Sequence, residues 1–250
     1  RRALDKRRLV LEVRDLRARL AGRDGLAAQL IGHSPAIQRL RRLLASVQAE
    51  INAGLGVAAQ RILICSANPG DGKTYSAINL ALSIATEKDH DVVLVDADFA
   101  KPSILSSLGI AGQSGLMDAL ADPAVDVQDL IIPTDIPGLS VLPAGRQTNT
   151  DSEYLASART QEVLASLTAG RPGRIVIFDS PPLLAASPAA TIAQHVGHAL
   201  MVVRADVTSE RALRDALSLI AGCNQIQLLL NGVKFSPSGR SFGSYYGYGE

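Results

Sequence analysis

RILICSANPGDGKTYSAINLALS, residues 61–83, decides the fold. A short apolar run (Ile62, Leu63, Ile64, Cys65) leads into a turn with two glycines, then Gly72-Lys73-Thr74, then a helical pattern. From Ala67 the order Ala-Asn-Pro-Gly-Asp-Gly-Lys-Thr matches a phosphate-binding loop, with Ala where the stricter pattern has Gly. The residue types follow from the chemistry. Pro69, Gly70, Asp71 and Gly72 form a turn whose backbone N–H groups face phosphate oxygens, and the glycines leave the room for it. The following helix adds the positive end of its dipole. Lys73 reaches the β- and γ-phosphates, and the Thr74 hydroxyl holds Mg²⁺. Tyr75 comes next and either packs or touches nucleotide. The stretch predicts a nucleoside-triphosphate site.

Outward from this loop, apolar runs alternate with helical ones. Strands are expected over 61–66, 91–96, 138–142, 174–179, 198–204 and 226–231, and helices over about 73–87, 115–121, 157–169, 188–195 and 209–222. Several strands are unbroken apolar runs (VVLV, IVIF, LMVV, LLL), the mark of parallel strands covered on both faces. Alternation with helices predicts an α/β, doubly wound, mostly parallel sheet of the P-loop NTPase type with flanking helices. Ligands in such sheets sit at the carboxyl ends of the strands. Three parts are expected: a basic helical head over 1–60, the phosphate-loop domain over 61–234, and a flexible tyrosine-rich tail over 235–250.

Two runs end in aspartate at that edge. VVLVDADFAKP supplies Asp96 and Asp98, and RIVIFDSPP supplies Asp179. Mg²⁺ keeps several waters and needs only one or two carboxylates near the phosphates. Asp179 and Asp98 are therefore candidate metal-linked acids with Thr74, and the Asp-x-Asp pair offers a base for a hydroxyl nucleophile. Singly, each strand-end aspartate also reads as a helix cap. Asn231, in LLLNGV, either reads the adenine edge with its amide or serves as a turn residue before Gly232. His33, His90, His195 and His198 make no ligand spacing and read as surface or packing residues.

Composition sets bounds. At 250 residues, 47% hydrophobic and 20% charged, the chain suits one large α/β domain with an appendage. No apolar run reaches the roughly 18 residues needed to cross a bilayer, and no secretory signal is visible. The chain opens RRALDKRR without Met, as a piece of a longer product would. Cys65 and Cys223 make no metal or redox spacing, which fits a reducing cytoplasm. The net charge of +1 hides an asymmetry: residues 1–44 carry twelve Lys/Arg against four Asp/Glu, and the remainder thirteen against twenty. Leu9, Val13, Leu16 and Leu20 share one helical face, as do Ile37, Leu40, Leu44, Val47 and Ile51. Such a head fits a membrane surface, nucleic acid, an acidic neighbouring subunit or a solvated face. No aromatics interleave with its arginines, which argues against nucleic acid.

The tail FSPSGRSFGSYYGYGE holds three of the five tyrosines, Tyr245, Tyr246 and Tyr248. Phenols in a Gly/Ser segment bury nothing, so they read as phosphate acceptors or as an aromatic docking element.

Together, ANPGDGKT, VVLVDADFAKP, IVIFDSPP and the tyrosine-rich end resemble the bacterial tyrosine kinases (BY-kinases). The likeness is strongest to the exosortase-associated autokinases of exopolysaccharide clusters and covers about residues 30–250. It implies ATP and Mg²⁺ as cofactors and autophosphorylation of Tyr245, Tyr246 and Tyr248, in trans within a ring of identical subunits. It implies a cognate phosphatase and an inner-membrane polysaccharide chain-length adaptor that holds a cytoplasmic kinase at the membrane. Lys73 and Thr74 take the phosphate and metal roles, Asp96 the base or metal-linked role, and Asp98 and Asp179 the Mg²⁺-linked roles. No nucleic-acid partner is implied.

The chain departs from the family at two places. Ala100, followed by Lys101, stands where many members carry Arg after Asp-x-Asp-x. The E-x-x-R-x-x-R assembly pattern aligns with Pro35, Gln38 and Arg41, of which only Arg41 matches. The competing class is a partition-type ATPase switch on a membrane or DNA surface; that group has Lys where this loop has Asn68. A third class is a weakly catalytic regulatory subunit that binds ATP and docks a polysaccharide synthase.

Overall fold

A computed structural model of the chain describes residues 57–86, 90–185 and 188–233. The basic head to residue 56, His33, the Pro35–Gln38–Arg41 alignment and the tyrosine tail lie outside the described residues. A 3₁₀ turn (Val57–Gln60) leads into seven strands: β1 (Arg61–Ser66), β2 (Asp91–Asp96), β3 (Ile132–Pro133), β4 (Leu139–Leu142), β5 (Arg174–Asp179), β6 (His198–Arg204) and β7 (Gln225–Asn231). Among the described residues seven α-helices accompany them: α1 (Lys73–Ala85), α2 (Ile104–Leu108), α3 (Leu116–Ala121), α4 (Asp151–Leu155), α5 (Ala158–Ser166), α6 (Pro188–Ala193) and α7 (Glu210–Leu219).

The strands form one sheet in the order β3-β4-β2-β5-β1-β6-β7. Every pairing is parallel except β3 with β4. Every residue of β1 and of β5 is buried, because these two central strands are covered on both faces. Period-two alternation sorts their side chains into two cores. Ile62 and Ile64 belong to one core with Ile78, Leu82 and Ile84 of α1; Leu63 and Cys65 belong to the other with Leu164, Ile192 and Ala216. Burial pushes the Cys65 thiol up to about 12, so it behaves as a small apolar side chain and not as a nucleophile.

The expected strands and helices are present, with shifted ends. The helix expected over 157–169 is α5, shorter at both ends. Helix α4, five residues long and lying before it, has no counterpart in the sequence reading. Neither have helix α2 and strand β3. α2 is five residues long and ends at Gly109 with φ 69, and β3 is two residues long, too short for either to show a period. His198 is fully buried at the start of β6, so it is a packing residue; His90 and His195 are half-buried.

Candidate active site

β1 delivers the chain to the carboxyl edge of the sheet, and residues 67–72 turn it into α1. Gly70 (φ 83) and Gly72 (φ 105) occupy the left-handed region, which side-chain-bearing residues reach only with strain. A Cβ on Gly72 would also collide with the Asn231 amide. Lys73, the first residue of α1, is 8% exposed, and Thr74 is half-buried. Pro69, Gly70 and Tyr75 face solvent, Tyr75 at 39% exposure.

Sheet register brings the acids together. Asp96 ends β2, Asp179 ends β5, and the two are paired across these adjacent strands, with β5 lying between β2 and β1. Asp179 is 1% exposed; it accepts a hydrogen bond from Thr74, while its Oδ1 has no hydrogen-bond partner. Burial pushes its carboxyl up to about 7, assisted by the Asp96 and Asp98 charges and opposed by the Thr74 bond and by Lys73. An unsatisfied buried carboxylate oxygen beside a threonine hydroxyl supplies the hard oxygen donors that Mg²⁺ takes, so Asp179 and Thr74 fit that cation, while the Lys73 ammonium suits phosphate oxygens.

Asp96 is held differently. Its Oδ2 accepts the N–H groups of Ser103 (2.8 Å) and Ile104 (2.9 Å), and its Oδ1 a longer bond from Asp98 N (3.3 Å). Asp96 therefore also caps the start of α2. Burial pushes it up to about 6, against the pull of those three amides. Asp98 is half-buried and accepts the Lys101 N–H at 3.1 Å. Ala100 and Lys101 are exposed in the turn that follows.

Asn231 ends β7 and its side-chain N–H₂ donates to Asp71 O at 2.8 Å, so one amide hydrogen is committed to the loop. Asp71 is 1% exposed, and its carboxylate accepts from Asn68 N (3.1 Å) and the Thr208 hydroxyl (3.1 Å). Arg204 Nη1 donates to Gly70 O at 3.1 Å. Sequence reasoning missed Arg204 and Thr208. Their only sequence signal is their place at the ligand edge, Arg204 ending a buried strand and Thr208 in the turn after it.

No family profile matches the chain. The tyrosine-protein kinase wzc of Salmonella typhimurium is 31% identical over 218 residues, which is 85% of this chain and 28% of that protein. The chain thus spans little more than a quarter of that relative. The tyrosine-protein kinase YwqD of Bacillus subtilis is 29% identical over 189 residues, 75% of this chain and 76% of YwqD. The solved kinase domain of the Escherichia coli tyrosine kinase ETK has a TM-score of 0.66 and 25% identity, covering 80% of this chain and 78% of that one. With a phosphate loop flanked by paired strand-end aspartates and these likenesses, the chain belongs to the bacterial tyrosine kinases, the BY-kinase family.

Proposed function

We propose that this chain is an ATP-dependent protein-tyrosine autokinase that phosphorylates Tyr245, Tyr246 and Tyr248 and thereby regulates exopolysaccharide synthesis or export. The observation that carries this reading is the register of Asp96 with Asp179 beside the phosphate loop. Phosphoryl transfer needs little covalent help from protein, and positioning with charge stabilisation does most of the work. Lys73 supplies a buried positive charge for the triphosphate, and Gly70 and Gly72 let the loop backbone approach it. Mg²⁺ would neutralise charge on the phosphates, held through Thr74, Asp179 and Asp98. Asp96 Oδ1, engaged only by the 3.3 Å bond, is the oxygen free to accept the phenol proton. With its carboxyl near 6, Asp96 is ionised at neutral pH and basic enough for the task.

The tail tyrosines enter the site of a neighbouring subunit in this reading, within a homo-oligomeric ring. An inner-membrane adaptor recruits the kinase to the membrane, and a phosphatase resets it. Among the described residues no helix is long and apolar enough to cross a membrane. Asp96→Asn and Asp179→Asn each test the assignment: transfer to tyrosine from Mg-ATP should fall while circular dichroism stays that of the parent. An unfolded variant would make the corresponding aspartate structural.

A further inference from the structure

We propose that Arg204, Thr208 and Asn231 are positioning residues: a brace that sets the peptide groups of the phosphate loop before nucleotide arrives. The inference rests on the reading of residues 67–74 as the triphosphate site.

Three bonds converge on two consecutive loop residues. Arg204 Nη1 donates to the Gly70 carbonyl at 3.1 Å, Asn231 Nδ2 donates to the Asp71 carbonyl at 2.8 Å, and the Thr208 hydroxyl donates to Asp71 Oδ1 at 3.1 Å. A trans peptide unit is planar, with its N–H antiparallel to its C=O. Fixing the Gly70 carbonyl therefore fixes the Asp71 N–H in the opposite direction, away from Arg204. Fixing the Asp71 carbonyl does the same for the Gly72 N–H, away from Asn231. These are two of the amides a phosphate cradle uses. The third bond ties the Asp71 side chain, whose other oxygen already takes the Asn68 N–H at 3.1 Å, so the loop is clasped from residue 68 to residue 71.

The brace is itself anchored. Arg204 and Asn231 are register partners at the ends of β6 and β7, and Ala205 N donates to Asn231 O at 2.8 Å. Thr208 Oγ1 accepts the Arg204 N–H at 3.0 Å while donating to Asp71. Asp206, between them, holds φ 60, the one described non-glycine residue in the left-handed region. Strain of this kind persists where surrounding contacts over-determine the backbone. Gly72 completes the fit, since any side chain there would displace the Asn231 amide from Asp71. In this reading Asn231 serves the phosphates through the loop.

The test measures ATP and GTP affinity by calorimetry on the full chain, together with thermal midpoints without nucleotide. Thr208→Val and Arg204→Met should each weaken ATP binding about 5–10-fold, the size of one positioned hydrogen bond, with midpoints near the parent's. Thr208→Ser, which keeps the hydroxyl, should return affinity to within about twofold of the parent. Asn231→Ala should weaken ATP and GTP by the same factor. Unchanged affinity in both Thr208→Val and Arg204→Met would overturn the brace, as would a Thr208→Ser no better than Thr208→Val. A loss confined to ATP in Asn231→Ala would return that residue to base recognition. A parent chain that binds neither nucleotide would overturn the brace and the reading of the loop together.

Discussion

At the scale of single residues, Lys73 and Asp179 share one buried site, and their removal is read by phosphoryl transfer for the first and by stability against pH for the second. In the proposed mechanism Lys73→Met removes the cation that would face the triphosphate. Loss of one such stabilising group costs about 10²–10³ in rate, so steady-state transfer from ATP should fall by that factor. Transfer at the parent's rate would dismiss Lys73 from the site. For Asp179 the sign follows from linkage. Its carboxyl is near 7 when folded against an ordinary 3.8, so the folded chain binds more protons than the unfolded one between those values. Its contribution to stability is therefore lost as pH rises through that window. Asp179→Asn should melt higher than the parent at pH 8, with the gap closing toward pH 4, while Mg²⁺-dependent nucleotide binding weakens. A variant that melts lower than the parent at pH 8 would show that the carboxylate supports the fold. In the sequence Asp96 reads as a strand-end acid, a base for a hydroxyl nucleophile or a helix cap, without the helix it would cap. Its capping of α2 comes from Ser103 and Ile104, seven and eight residues on, whose amides no sequence pattern announces.

At the scale of elements, β1, its loop and α1 were legible because three local signals coincide there: an unbroken apolar run, a glycine turn and a helical period. The first of these signals, an unbroken apolar run, places β2 and β5 and so the three aspartates. What the sequence hid are contacts between distant elements. Arg204 meets Gly70 across 134 residues, and Thr208 meets Asp71 across 137, so neither shows a spacing that could be recognised. The opposite end of β5 offers a control. Arg174, 5% exposed, donates to Asp91 Oδ2 (2.7 Å), Gln128 Oε1 (3.0 Å) and Leu167 O (3.3 Å). Arg174→Met would leave those acceptors unpaired and should cost roughly 2–3 kcal/mol in denaturant unfolding. Five residues of strand, about 17 Å, separate Arg174 from Asp179, so phosphate transfer by the folded variant should match the parent's. A Michaelis constant for ATP that shifts with Arg174→Met would mean that the sheet transmits strain to its carboxyl edge.

At the scale of the whole molecule, the proposed ring would couple catalysis to assembly through charge. In the proposed ring a neutral phenol enters a neighbour's site and leaves as a phosphate carrying about −1.5 to −2 charges at neutral pH. Three such groups would lie close to Asp96, Asp98 and Asp179, so phosphorylation should weaken self-association. The effect should shrink as salt rises, because exposed charges are screened over about 8–10 Å at ordinary ionic strength. Sedimentation of the two forms at low and high salt would show it, and identical assembly in both would remove the tail as the switch. Only Arg41 keeps the family's E-x-x-R-x-x-R assembly pattern, which makes this comparison informative about whether the subunits assemble by that pattern at all. The most direct test of the central claim is site-resolved phosphotyrosine mass spectrometry on purified chain incubated with Mg-ATP. The account predicts phosphate on Tyr245, Tyr246 and Tyr248 in the parent, none in Lys73→Met, and intact ATP binding without tail labelling when all three tyrosines are changed to Phe. A parent chain that binds and turns over ATP yet acquires no phosphotyrosine would contradict it.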